Sequence, residues 1–372
     1  MFRVIVILVI ATLAITSIYS LGKSNTQDIL SLYKGPQANW PVPTIDEDAH
    51  YTPLGAMPKE PYYPDYNSYS KEKWELGKQL FFDRRLSKSQ QIACASCHDP
   101  DLGWADGRKR AIGHNRQLHT LNSPSITNSA WLNTVFWNGR AKTLEQQIIE
   151  TWQNPLEMAA DLPETVIRVN SLKGYSSLFK KAFNTSVADA ELISKAIATF
   201  MRKITLTNTR FDKFMQGDRT ELSNDEIEGL HLFRTKARCI NCHNGTLLSD
   251  NKFHHLGTSF HNVGDFLGRY SVTSKAENVG AFRTPNLRGI STTAPYMHNG
   301  FINDLDTLLS IYNIGWWQNA DLKDKGNDIP TATLSKHIKP LSLNQNELKK
   351  LKAFLISLDG TPVWIEMPKE VQ

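Results

Sequence analysis

Cys94-Ala95-Ser96-Cys97-His98 and Cys239-Ile240-Asn241-Cys242-His243 share one pattern, C-x-x-C-H, and together they use all four cysteines of the chain. Two thiols three positions apart can both reach the vinyl edge of one porphyrin and form thioethers. The histidine that follows is then held beneath the ring, where an imidazole nitrogen can ligate iron. A C-x-x-C pair can also be a redox disulfide, and two pairs can make a four-thiolate zinc site. Neither alternative asks for a histidine directly after both pairs, and the gap between the pairs is far longer than a zinc ribbon uses. The pattern predicts two covalently bound c-type haems, one attached at Cys94, Cys97 and His98, the other at Cys239, Cys242 and His243.

The 372 residues are enough for two domains with full cores. A net charge of +5, spread along the chain, gives no reason to expect a nucleic-acid partner. Nine tryptophans suit porphyrin packing and an ordinary core equally well. At the start, Arg3 precedes an apolar run from Val4 to Ile18, broken only by Thr12, Thr16 and Ser17. The run is short for a membrane span and suits a signal peptide cleaved near Ser20 or Gly22. A clean A-x-A site is missing, so an uncleaved N-terminal anchor stays open. Either way the body is expected in the periplasm, on the side of the membrane where thioether attachment of haem is completed.

The expected organisation is a signal peptide or anchor over 1–22, a Pro/Tyr-rich extended arm over 23–66, and haem domains over 67–217 and 218–372. The fold class is mostly α, with two cytochrome c-like haem domains and long loops. A helix starts near Ser70 and carries Trp74, Leu76, Leu80 and Phe81; helical period recurs over 143–152, 163–170, 189–203, 223–234 and 344–358. Ser223 with Glu226, and Asn344 with Glu347, have the spacing of capping boxes. A loose repeat, Gly77-x-x-Leu80-Phe81 and Gly229-x-x-Leu232-Phe233, precedes the two haem motifs and suggests two related halves.

From about Ser70 to Gly360 the chain resembles the bacterial di-haem cytochrome c peroxidase family, including its MauG-like branch. The resemblance rests on short motifs in fixed order. Besides the two haem sites they are Ile112-Gly113-His114, Asn122-Ser123-Pro124, Phe136-Trp137-Asn138-Gly139-Arg140-Ala141, Leu144-Glu145-Gln146-Gln147, Asn154-Pro155-Leu156-Glu157-Met158, Arg283-Thr284-Pro285-Asn286-Leu287-Arg288 and Ala294-Pro295-Tyr296-Met297-His298-Asn299-Gly300. The resemblance implies that the N-terminal haem is the peroxide site and the C-terminal haem an electron relay, with His98 and His243 as their proximal ligands. Glu157 matches the catalytic acid, Gln147 a distal amide, and Trp137 the tryptophan between the haems. Asn122, Thr293 and Pro295 match the positions that hold a calcium ion through hard oxygen donors.

Two positions separate the branches. His114 matches the histidine that conditionally caps the peroxide iron in the peroxidases; read alone, it is a loop histidine. Tyr312 stands fourteen residues after His298, where the peroxidases carry a methionine and MauG a tyrosine. A phenolate favours ferric iron and a thioether ferrous iron. Met297, His298 or an open site are the alternatives to Tyr312. The tryptophan that MauG places shortly before its second haem site has no counterpart in Phe233-Arg234-Thr235-Lys236-Ala237-Arg238. The implied activity is reduction of hydrogen peroxide with electrons from a small cytochrome c or cupredoxin. The alternatives are a MauG-like oxidase of Trp or Tyr side chains on a partner protein and a non-catalytic di-haem carrier. A homodimer stays open.

Overall fold

The computed structural model describes residues 27–259, 267–316, 329–360 and 365–372. The expected signal peptide or anchor lies outside them. Among the described residues no helix is long and apolar enough to cross a membrane. The helices are α1 (27–34), α2 (Lys71–Phe82), α3 (Leu144–Gln153), α4 (Leu162–Ser171), α5 (Lys173–Phe183), α6 (Ala190–Arg202), α7 (Arg210–Met215), α8 (Asn224–Arg234), α9 (Tyr270–Thr273), α10 (Leu305–Asn313) and α11 (Gln345–Ile356). One small sheet pairs β1 (Phe253–His254) with β2 (Phe282–Arg283), antiparallel. The chain is mostly α with long loops, as expected.

The expected helix starts form through side-chain caps. Ser70 accepts from Lys73 N at the head of α2 and Asp189 from Leu192 N at the head of α6. Ser223 with Glu226, and Asn344 with Glu347, close both bonds of a capping box. Five helices escape a reading by caps and period: α1 lies in the arm expected to be extended, α9 has only four residues, and α5, α7 and α10 each hide for a reason of their own. The residue before α5, Leu172, makes no side-chain cap bond. Helix α7 has six residues, too few to show a period. Helix α10 is capped by Asp304 but lies just beyond the long loop that follows the second haem motif.

The buried side chains form two main clusters. One is built on α2–α6 and runs from Leu76 to Ile204; the other is built on α7, α8, α10 and α11. Phe211 and Phe214 of α7 pack in the second cluster, and Asp212 makes a fully buried ion pair of 2.7 Å with Arg288. Helix α7, which precedes Gly217 in the chain, thus packs with the second cluster. The chain ends cross over. Leu30, Tyr33, Trp40 and Leu54 of the arm are buried in the second cluster, while Ile365 and Val371 pack on the first.

The loose repeat has a packing cause. A Cβ on Gly77 would lie 1.9 Å from Ala196 O, and one on Gly229 would lie 2.0 Å from Lys350 O. Each glycine lets a helix preceding a haem motif touch the backbone of its partner, α2 on α6 and α8 on α11. Four residues on, each crossing sets one phenylalanine against another, Phe81 on Phe200 at 5.0 Å and Phe233 on Phe354 at 5.1 Å. Alanine is the better helix former by about 1 kcal/mol, but no side-chain rotation relieves a clash with a backbone oxygen. Gly229→Ala is therefore expected to destabilise by roughly 1–3 kcal/mol, the cost of overpacking. A calorimetric Tm lowered by a few degrees would show it; a raised Tm would mean the helix pair separates at no cost.

Candidate active site

Each C-x-x-C-H motif forms a single tight turn. His98 N donates to Cys94 O at 3.1 Å, and His243 N donates to Cys239 O at 2.8 Å. The turn sets both thiols and the following imidazole on one side. Cys94, Cys97 and His98 line a first cavity, and Cys239, Cys242 and His243 line a second. The two cysteine pairs face different cavities, so a shared four-thiolate zinc site is excluded. Burial pushes the thiols of Cys94, Cys97 and Cys239 up to about 12 and that of Cys242 upward as well. A reactive redox cysteine needs the opposite shift.

The imidazoles are prepared as ligands. His98 Nδ1 lies 3.2 Å from Trp104 O, and His243 Nδ1 lies 2.9 Å from Leu248 O. A ring proton donated there leaves Nε2 as a lone pair for iron. Burial holds both histidines below the usual range, in the neutral form that ligates.

Arg283 lines both cavities and is buried. Its Nε has no partner, and among the described residues no carboxylate pairs with it. Burial alone lowers it to about 10. A buried cation without a protein anion is costly; the carboxylates of a porphyrin would supply the missing charge. The residues present thus fit two covalently bound haems.

Residues 71–220 match the di-haem cytochrome c peroxidase family (CCP_MauG). The chain is 35% identical over 307 residues to the methylamine utilization protein MauG of Methylophilus methylotrophus, covering 82% of this chain and 88% of that one. The chain belongs to the di-haem cytochrome c peroxidase family. It is 33% identical over 298 residues to the cytochrome c551 peroxidase of Nitrosomonas europaea, covering 79% and 82%. Among solved structures, a MauG-like protein associated with microbial copper homeostasis aligns with TM-score 0.72 and 30% identity, over 85% of this chain and 96% of that one. Membership makes the protein an oxidoreductase with two c-type haems.

Within this di-haem frame Gln147, Thr151 and Glu157 line the first cavity together with the cysteine turn. Gln147 Nε2 donates to Thr151 Oγ1 at 2.9 Å, and its Oε1 is buried without a partner. Glu157 Oε1 lies 3.1 Å from His119 Nε2, and Glu157 Oε2 is buried without a partner. His119 lines this cavity, whereas His114 does not; His114 N instead donates to Glu157 O at 2.8 Å. Trp137 stands in the wall that both cavities share, with Nε1 donating to Asn122 O at 2.9 Å and its ring edge-on to His298 at 6.4 Å.

The second cavity gathers Tyr312, Met297 and His298, and Asn122, Thr293 and Pro295 also line it. The Tyr312 ring meets Trp316 edge-on at 4.9 Å. Burial raises the Tyr312 phenol, and the nearby Cys242 and Cys239 add to the effect. The His298 ring is stacked on Phe282 at 3.7 Å. Asn122 Nδ2 donates to Arg108 O at 2.8 Å, and its backbone N–H donates to His298 O at 2.8 Å.

His119, Thr151 and the role of Arg283 were not legible from motifs, but one signal could have exposed Thr151. A single unbroken offset pairs Pro124 with Pro285, Asn138 with Asn299, Gly139 with Gly300, Leu144 with Leu305 and Thr151 with Tyr312. The backbone obeys it. Phe136 and Met297 share positive φ, at 68° and 74°, and Thr143 and Asp304 cap the equivalent helices α3 and α10. The same helical position therefore carries a short hydroxyl over the first cavity and a phenol over the second.

Proposed function

We propose that the chain is a periplasmic di-haem peroxidase that reduces hydrogen peroxide to water with electrons from a small cytochrome c or cupredoxin. The observation that carries the reading is the pair of buried, partnerless oxygens, Glu157 Oε2 and Gln147 Oε1, lining the cavity of the first cysteine turn. The haems, when bound, supply the iron that takes peroxide and the route for electrons. Splitting peroxide requires moving a proton from the near to the far oxygen, and a carboxylate can accept and return it. Gln147 hydrogen-bonds the bound peroxide. Trp137, in the shared wall, shortens the electron path between the cavities. His114 is the conditional cap of the first iron. Asn122, Thr293 and Pro295, on the wall of the second cavity, hold a calcium ion through amide and carbonyl oxygens. A non-catalytic carrier would have no use for an unpaired carboxylate oxygen in the first cavity.

Tyr312 favours a second reading, a MauG-like oxidase acting on Trp or Tyr side chains of a partner protein. One experiment separates the two. The holoprotein, with its second haem reduced, is mixed with peroxide and excess reduced small cytochrome c in a stopped-flow spectrometer. Many turnovers of cytochrome oxidation are expected within seconds. A spectral change that persists while the cytochrome stays reduced would support the oxidase instead.

A further inference from the structure

His119 belongs to none of the motifs that mark the family resemblance, yet its ring is the only side-chain partner of Glu157 among the described residues. It sits at the end of a loop over 111–119. The loop pairs with itself at Ile112 and Leu118, and His119 N donates to Ala111 O at 2.9 Å. It also rests on the segment that carries Glu157. Besides the bond from His114 N to Glu157 O, Gly113 lies so close that a Cβ there would be 1.9 Å from Leu156 O.

The hydrogen bonds fix which ring nitrogen carries the proton. Leu121 N donates to His119 Nδ1 at 3.0 Å. Nδ1 also lies 3.3 Å from Leu121 O. A peptide N–H has a fixed direction, however, and here it points at Nδ1; a proton on that nitrogen would meet another proton. Nδ1 is therefore the acceptor and the ring proton sits on Nε2. Nε2–H then donates to Glu157 Oε1 at 3.1 Å. That bond occupies one carboxylate oxygen and leaves the other, Oε2, as the buried partnerless atom.

We propose that His119 is a positioning residue for Glu157: its Nε2–H holds Oε1, so that Oε2 is presented to bound peroxide. The proposal rests on reading Glu157 as the proton-transfer group. Without the bond the carboxylate can turn about its side-chain torsions, and a misplacement of about 1 Å is enough to cost roughly 100-fold in rate.

The test uses holoprotein variants. His119→Leu is expected to lower the second-order rate constant for peroxide by about 10- to 100-fold. His119→Gln, whose amide N–H donates from the same side, stays within a few-fold of the parent. In infrared difference spectra the Glu157 carboxylate band, assigned by its loss in Glu157→Gln, shifts in H119L and is kept in H119Q. In a Glu157→Gln background H119L adds no further loss, the signature of two groups acting as one. Gly113→Ala, which lifts the loop off Leu156 but keeps His119, gives the same band shift and serves if H119L does not fold. H119L at parental rate beside a slow E157Q overturns the proposal and leaves the role of Glu157 intact. E157Q at parental rate overturns the reading beneath it. A changed ferric electron paramagnetic resonance spectrum in H119L would make His119 an iron ligand and also overturn the proposal, as would G113A with neither a band shift nor a slower reaction.

Discussion

Glu157→Gln is expected to slow the reaction with peroxide by about 10²- to 10⁴-fold, the usual worth of a general acid–base group. On the transition-state scale that is roughly 2.7–5.4 kcal/mol. The substitution is nearly isosteric. A glutamine oxygen still accepts from His119 Nε2, now 3.1 Å from Oε1, and the main-chain bond from His114 N to Glu157 O is untouched. Packing around the neighbouring buried Met158 stays as it was. What changes is the atom at the position of Oε2, from a proton acceptor to an amide N–H₂ that cannot take a proton from peroxide. Stopped-flow measurement on the half-reduced holoprotein reads the rate, and a melting curve checks that Tm is unmoved. A parental rate would show that the proton moves by another route, with Gln147, Thr151 and His119 among the other polar groups that line that cavity.

The parts of this molecule that could be read in advance are those set by neighbours in sequence. The two cysteine turns, the Ser223 and Asn344 capping boxes and the apolar stripe of α11 depend on residues a few positions apart. Others depend on distant chain. Nothing around Trp40 announces that it is buried with Phe214, and nothing around Leu172 starts a helix. Asp212 reads as a surface residue of a short helix until Arg288 meets it. His119 carries no mark in the sequence because its meaning comes from Leu121 N on one nitrogen and Glu157 on the other. The two halves looked only loosely related because their glycines were compared by motif. The constant offset through Thr151 and Tyr312 shows that the sharpest difference between the halves is one side chain.

That side chain carries the second large prediction. Tyr312→Met is expected to raise the reduction potential of the second haem by hundreds of millivolts, within the ~0.8 V that axial ligands span. The phenol lines the cavity of the second cysteine turn, and burial holds it protonated in the absence of a cation. Only a ferric centre would stabilise the phenolate there, and the phenolate in turn stabilises ferric iron. A thioether reverses that preference. Methionine is flexible enough to fill the space beside Trp316 without forcing the wall. Spectroelectrochemical titration measures the shift, and the same variant should accept electrons from a small cytochrome c faster. An unchanged potential and optical spectrum would remove Tyr312 from the iron. His298, stacked on Phe282, and Met297, which occupies the place of Phe136 in the other half, would then be the side chains left to consider. A raised potential would thus place Tyr312 on the iron and add support to the oxidase reading, because a low-potential relay suits an enzyme that keeps oxidising equivalents for a protein substrate; an unchanged potential would remove that support and leave the peroxidase reading standing.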